Sequence, residues 1–161
     1  MTNLSGLFEK EFKNLYALEK QIQETLMNIT HVEDKKLSKR IFNFLKTNAS
    51  DYKKVKSMAN DLAINPGNTT DSVVAEMLEN ISNIDSDTIE QKVKEAGLLA
   101  SFNRLANYKI VSYFNARRMA KALSMSKIAK QLKKSRKKNE KHAAKFKKLA
   151  KKQVFQEAVE V

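Results

Sequence analysis

The sequence predicts an all-α protein, an up-down four-helix bundle with one crossover connection that carries a short extra helix. Three observations point there. Four long stretches repeat apolar residues at helical spacing, no stretch alternates apolar and polar residues as a half-buried strand does, and no repeat of 20–50 residues is visible. A chain of 161 residues suits a single domain burying roughly 70% of its unfolded surface. The bundle is expected over residues 1–152, with 153–161 as the end of the last helix or a tail.

The first helix is expected from about Asn3 to Ile29. At roughly 100° per residue, Phe8, Phe12, Leu15, Ile22 and Leu26 fall within about 60° of Glu19. A break at His31-Val32-Glu33-Asp34 precedes the second helix, near Lys35 to Leu62, where Leu37, Ile41, Phe44, Leu45, Tyr52, Val55, Ala59 and Leu62 surround the direction of Asn48. The turn cluster Asn65-Pro66-Gly67-Asn68-Thr69-Thr70 stops it. Thr70 or Asp71 then caps a short helix through about Asn83, and Asp85-Ser86-Asp87 offers caps for the third long helix, which reaches Leu123. Leu98, Phe102, Leu105, Ala106, Tyr113, Ala116 and Ala120 flank Lys109 in that helix. After Ser124-Met125-Ser126 the fourth long helix runs towards Glu157, with a neutral stripe of Ile128, Leu132, Ser135, Asn139, His142 and Phe146.

Each long helix thus has a polar residue near the middle of its apolar stripe: Glu19, Asn48, Lys109 and Asn139, with Ser135 one turn from the last. Helical bundles that bind two metal ions place carboxylates and histidines at such positions. This chain is read as keeping one carboxylate there beside two amides and an ammonium. Two cations need several anionic ligands to displace their water, so no metal and no cofactor is expected. His31 and His142 are too isolated to rebuild a site. What replaces the metal is expected to be a buried Glu19–Lys109 ion pair, hydrogen-bonded by Asn48, Asn139 and Ser135, or a Lys109 that reaches out to water.

Composition narrows the function. The chain has no Cys or Trp, one Pro and three Gly, which excludes disulfide frameworks, thiolate metal sites and cysteine catalysis. It shows no signal-peptide pattern and no apolar run near the ~20 residues of a membrane span, so a cytoplasmic protein without membrane contact is expected. The net charge of +13 is uneven: Arg117 to Lys152 contains 16 Lys/Arg and a single acid, Glu140. Lys133, Lys134, Arg136, Lys137, Lys138, Lys141, Lys145, Lys147 and Lys148 lie outside the core stripe of the last helix. They read as a solvated exterior or as a site for a polyanion or nucleic acid, bound without sequence preference.

Two segments tie the chain to a known family. They are Leu15-Tyr16-Ala17-Leu18-Glu19-Lys20-Gln21-Ile22 and Asn107-Tyr108-Lys109-Ile110-Val111-Ser112-Tyr113, continued by Met119-Ala120-Lys121-Ala122-Leu123. With them, the chain resembles the ferritin-like stress-response proteins of the YciF/YciE type from about Leu7 to Ala150. The resemblance implies a ferritin-like bundle and a set of metal-ligand positions. Glu19 matches the family's glutamate in the first helix, and Glu79 matches an acidic position in the short helix. The family's His, Glu and Thr in the second helix are Phe44, Thr47 and Asn48 here. Its Glu-His-Tyr-Glu run reads Ala106-Asn107-Tyr108-Lys109, and its acids in the last helix are Lys137, Lys138 and Asn139.

No phosphate-cradling glycine loop, nucleophile elbow or pocket-supported acid pair is present, so no catalytic residues and no small-molecule substrate are assigned. Asp85, Asp87, Glu90 and Glu95 read as helix-start charges. Tyr16, Tyr52, Tyr108 and Tyr113 read as interior packing and hydrogen-bonding groups. The expected role is therefore non-enzymatic, a stress-associated structural or interaction protein that forms a homodimer. Nucleic-acid association through the basic helix is the alternative, and a residual iron-handling protein is the third reading.

Overall fold

The computed structural model describes residues 2–29 and 32–159. Six helices follow in order: α1 Leu4–Leu26, α2 Lys35–Asp61, α3 Ser72–Ser86, α4 Gln91–Ala122, α5 Ser126–Lys152 and α6 Val154–Val159. Side chains start most of them. Asn3 accepts from the Gly6 amide at 2.8 Å, Asp34 from Leu37 at 2.8 Å, and Asp71 from Val73 and Val74 at 3.0 and 3.1 Å. These bonds satisfy amides that a helix start leaves without a partner.

Four helices form the bundle. α1 packs beside α2 and α4, and α5 closes the ring against α2 and α4, while α3 lies outside against α1 and α4. One end of the core gathers Leu26 of α1, Leu37 of α2, Leu98 of α4 and Leu149 of α5; the other gathers Phe8, Met58, Ala120 and Ile128. Hence α1 and α5 run one way while α2 and α4 run the other. A short turn cannot join the parallel α2 and α4. The 62–90 connection does it, with Val74, Leu78 and Ile81 of α3 buried in the first end of the core.

Asp71 fixes this crossover. Its backbone exchanges two hydrogen bonds with the Gln21 side chain (2.9 and 3.2 Å), and its second carboxylate oxygen accepts from the Tyr108 hydroxyl at 2.7 Å. One residue thereby caps α3 and ties it to α1 and α4. Ile84 of α3 lies so near Gly97 that a Cβ there would sit 3.3 Å from its side chain.

Several boundaries depart from the sequence expectation. α1 ends at Leu26 rather than Ile29, and the His31 part of the break lies outside the described residues. α3 runs through Ser86, so Asp85-Ser86-Asp87 ends that helix instead of capping the next. The cap of α4 is Glu90, whose carboxylate accepts from Val93 at 3.1 Å. Glu95 is not a helix-start charge either: it is buried and accepts from the Asp34 amide at 2.9 Å, from the Glu33 amide and from Gln91. The last long helix breaks at Gln153, and α6 folds on with Val154 in the core.

Two helix ends take a left-handed turn on residues that carry a Cβ. Ala63 (φ 52°) follows α2 and Ser124 (φ 60°) follows α4, each closed by paired backbone bonds such as Ile64 to Ala59 and Met125 to Ala120. A side chain costs about 1 kcal/mol in this conformation, which glycine adopts freely. Ala63→Gly and Ser124→Gly are each expected to raise the melting temperature by about 2–4 °C. A lower melting temperature in both variants would count against strained helix ends.

Candidate functional site

The two ends of the core are separated by a polar layer. The structure brings Glu19, Asn48, Lys109, Ser135 and Asn139 together in it, all fully buried or within 1% of it. Each helix delivers its polar residue inward because that residue shares a face with the Phe, Leu and Ile side chains that must be covered.

Glu19 is surrounded by donors. Lys109 Nζ lies 3.0 Å from Oε1, the Tyr113 hydroxyl donates to Oε1 at 3.0 Å, and Asn48 Nδ2 donates to Oε2 at 2.6 Å and to the Glu19 carbonyl at 3.0 Å. Lys109 does not reach out to water: its ammonium also lies 3.4 Å from Asp51 Oδ2 and 5.2 Å from the centre of the Phe44 ring. Asn139 Nδ2 donates to the same Asp51 oxygen at 3.0 Å and to the Ser135 carbonyl at 2.9 Å.

Asp51 is the correction to the sequence reading, which placed one carboxylate in the interior. It is completely buried and belongs to the cluster as fully as Glu19 does. It stands three residues after Asn48, about 60° around α2, so the angular test applied to the other helices also points to it. Tyr113, read from the sequence as an interior hydrogen-bonding group, is a further member through its bond to Glu19. His142 borders the layer, 2.7 Å from the Thr47 hydroxyl and edge-on to Phe44, and burial together with Lys109 pulls its pKa down. Glu79 is exposed on α3 and takes no part.

The electrostatics follow from burial. Loss of water raises the Glu19 pKa to about 7; Lys109 opposes this and Asp51 reinforces it. Burial and the neighbouring carboxylates push the Tyr113 hydroxyl well up, so it stays a donor. An acid that binds its proton more tightly when folded stabilises the protein fully below its unfolded pKa, and that contribution fades as pH rises through the folded value. Thermal stability is therefore expected to fall between about pH 5 and pH 8, and Glu19→Gln is expected to flatten that profile. An identical slope in the variant would show that other groups set it.

A metal centre does not fit these residues. The layer offers two carboxylates, and Lys109 already places a positive charge against both. No group of three or more His, Asp or Glu able to hold a metal occurs among the described residues. Asp51 Oδ1, Asn139 Oδ1 and Ser135 Oγ have no hydrogen-bond partner among the described residues, yet they bring no charge beyond that of Asp51.

The profile of the family described as a domain of unknown function (DUF892) matches residues 3–159. The chain belongs to the DUF892 family. Among solved structures, this DUF892 chain is similar to the Escherichia coli stress protein YciF, with a TM-score of 0.86, 20% identity, and 93% of this chain and 96% of that one covered. It is also similar to YcfI from Rhodopseudomonas palustris, whose description assigns a structural role only provisionally, with a TM-score of 0.84, 16% identity, and 91% and 94% covered. At these identities the likeness shows the ferritin-like helical fold. No curated protein matches the chain in sequence.

The basic residues form a separate surface. Lys134, Lys137, Lys138, Lys141, Lys145, Lys147 and Lys148 are exposed along α5. Lys133 and Arg136 are only half-exposed, and Arg136 is engaged by Glu140 at 3.2 Å and by the Phe114 ring. Among the described residues, no helix is long and apolar enough to cross a membrane.

Proposed function

We propose that this DUF892 protein is a non-catalytic structural or interaction protein of the cytoplasm, associated with stress and acting as a homodimer, in which an internal ion-pair layer stands where related bundles hold metal. The observation that carries this reading is the Lys109 ammonium, 3.0 Å from Glu19 and 3.4 Å from Asp51. A cation built into the chain offsets part of the charge of the interior carboxylates and repels a second cation. The stress association is supported by the fold shared with YciF, and the structural role by the fold shared with YcfI. Self-association is supported by a groove at the connection between α1 and α2, where Met27 is 73% and Phe42 65% exposed beside Ile29, Val32 and Leu45.

Elemental analysis of protein purified without chelators is expected to find iron and manganese far below one ion per chain, and near-stoichiometric metal would overturn the reading. A second reading rests on the exposed lysines of α5: sequence-independent association with nucleic acid. Fluorescence anisotropy with a duplex should then show affinity that falls steeply with salt, and no binding at low salt would remove it.

A further inference from the structure

The hairpin formed by α4 and α5 has a second feature, away from both the charge layer and the outward lysines. Near its turn, Arg117 and Lys121 of α4 face Ser126, Ala129, Lys130 and Lys133 of α5 across a groove of about 250 Å³. The spacings, four residues apart on α4 and three to four apart on α5, put each set on one helical face. Four cations therefore line one concavity whose only other walls are a serine and an alanine.

None of the four makes an ion pair with a carboxylate among the described residues. The sequence supplies no acid between Glu95 and Glu140, so this stretch has nothing local to neutralise them. Like-charge crowding is felt in the groove: Lys137, Arg117, Arg136 and Lys121 all act to pull the Lys133 pKa down. Ser126 opens α5, and no side chain caps that helix, so its positive dipole end adds to the same field.

We propose that this groove binds an oligophosphate, with Arg117, Lys121, Lys130 and Lys133 as its ligands. Arginine brings a planar fork matched to phosphate oxygens, and the three lysines bring mobile point charges. A single phosphate cannot balance four cations, whereas a chain of two or three phosphates can. Concavity favours a compact ligand over a long duplex, which would lie along the convex face of α5 instead. Of the basic residues read from the sequence as a polyanion or nucleic-acid surface, the groove shares only Lys133.

Isothermal titration calorimetry of the full chain with inorganic tripolyphosphate tests this. Saturable binding at one ligand per chain is expected, weakening as salt rises. Arg117→Gln with Lys133→Gln, and separately Lys121→Gln with Lys130→Gln, are each expected to weaken it about tenfold or more. Lys141→Gln with Lys145→Gln removes the same charge from exposed positions outside the groove and is expected to leave the affinity nearly unchanged. Equal weakening by all three pairs would show a diffuse field and overturn the site, as would absence of binding at low salt. Single-stranded oligothymidylate of similar charge is the comparison for source. Tripolyphosphate binding more tightly is the expected order, and the reverse order would replace a free oligophosphate with a nucleic-acid backbone.

Discussion

Lys109→Met is expected to destabilise the fold by about 3–5 kcal/mol, because it removes the cation from two buried carboxylates while nearly conserving volume. For a chain of this length each kcal/mol moves the melting temperature by about 2–4 °C, so the loss is easily measured. Its pH dependence identifies the cause. Lys109 holds the Glu19 pKa down, so without it the carboxyl takes up a proton above the parent value of about 7; this reduces the uncompensated charge, and the variant should lose less stability in acid than in base. Adding Glu19→Gln and Asp51→Asn to Lys109→Met should recover much of the loss, since charge is removed from both sides of the pair. A single variant as stable as the parent at pH 8 would show that Lys109 does not hold these carboxylates.

Phe44→Ala is expected to cost about 3–5 kcal/mol, the usual loss for a fully buried phenylalanine. Phe44 joins three helices: its ring meets Phe102 of α4 edge-on at 5.6 Å and Phe146 of α5 at 5.9 Å. It also covers the inner side of the charge layer, with the Lys109 ammonium 5.2 Å from its ring centre. Truncation therefore opens a cavity and lets water approach the ion pair, weakening an interaction that depends on a dry site. Phe42→Ala is the control. Two residues earlier and 65% exposed, Phe42 should change stability by no more than about 0.5 kcal/mol. Equal losses at both positions would deny Phe44 its place at the junction.

The interior polar residues were legible because the helical period is local. Glu19, Asn48, Lys109, Ser135 and Asn139 could each be placed on a buried stripe from the residues within two turns of them. Asp51 follows from the same geometry, about 60° from Asn48, although the stripe read from the sequence does not include it. Glu95 carried no such signal. Its partners, the amides of Glu33 and Asp34, are about 60 residues away and meet it only when the α1–α2 connection docks on α4. The cap of α4 differs from the expectation because two acids, Asp85 and Asp87, precede Glu90, and which of the three caps a helix depends on where α3 stops against α1 and α4.

The sequence alone determined that this protein is helical, how many long helices it has, which face of each is covered and that a crossover joins the halves. Periodicity, caps and breakers act over a few residues, so they are written in the order of the chain. Tertiary structure alone decided that Asp51 joins the polar layer, with Lys109 between it and Glu19. It also decided that four cations meet at the α4–α5 turn. Those outcomes depend on the rotation and axial shift of one helix against another, and packing of the whole core sets both.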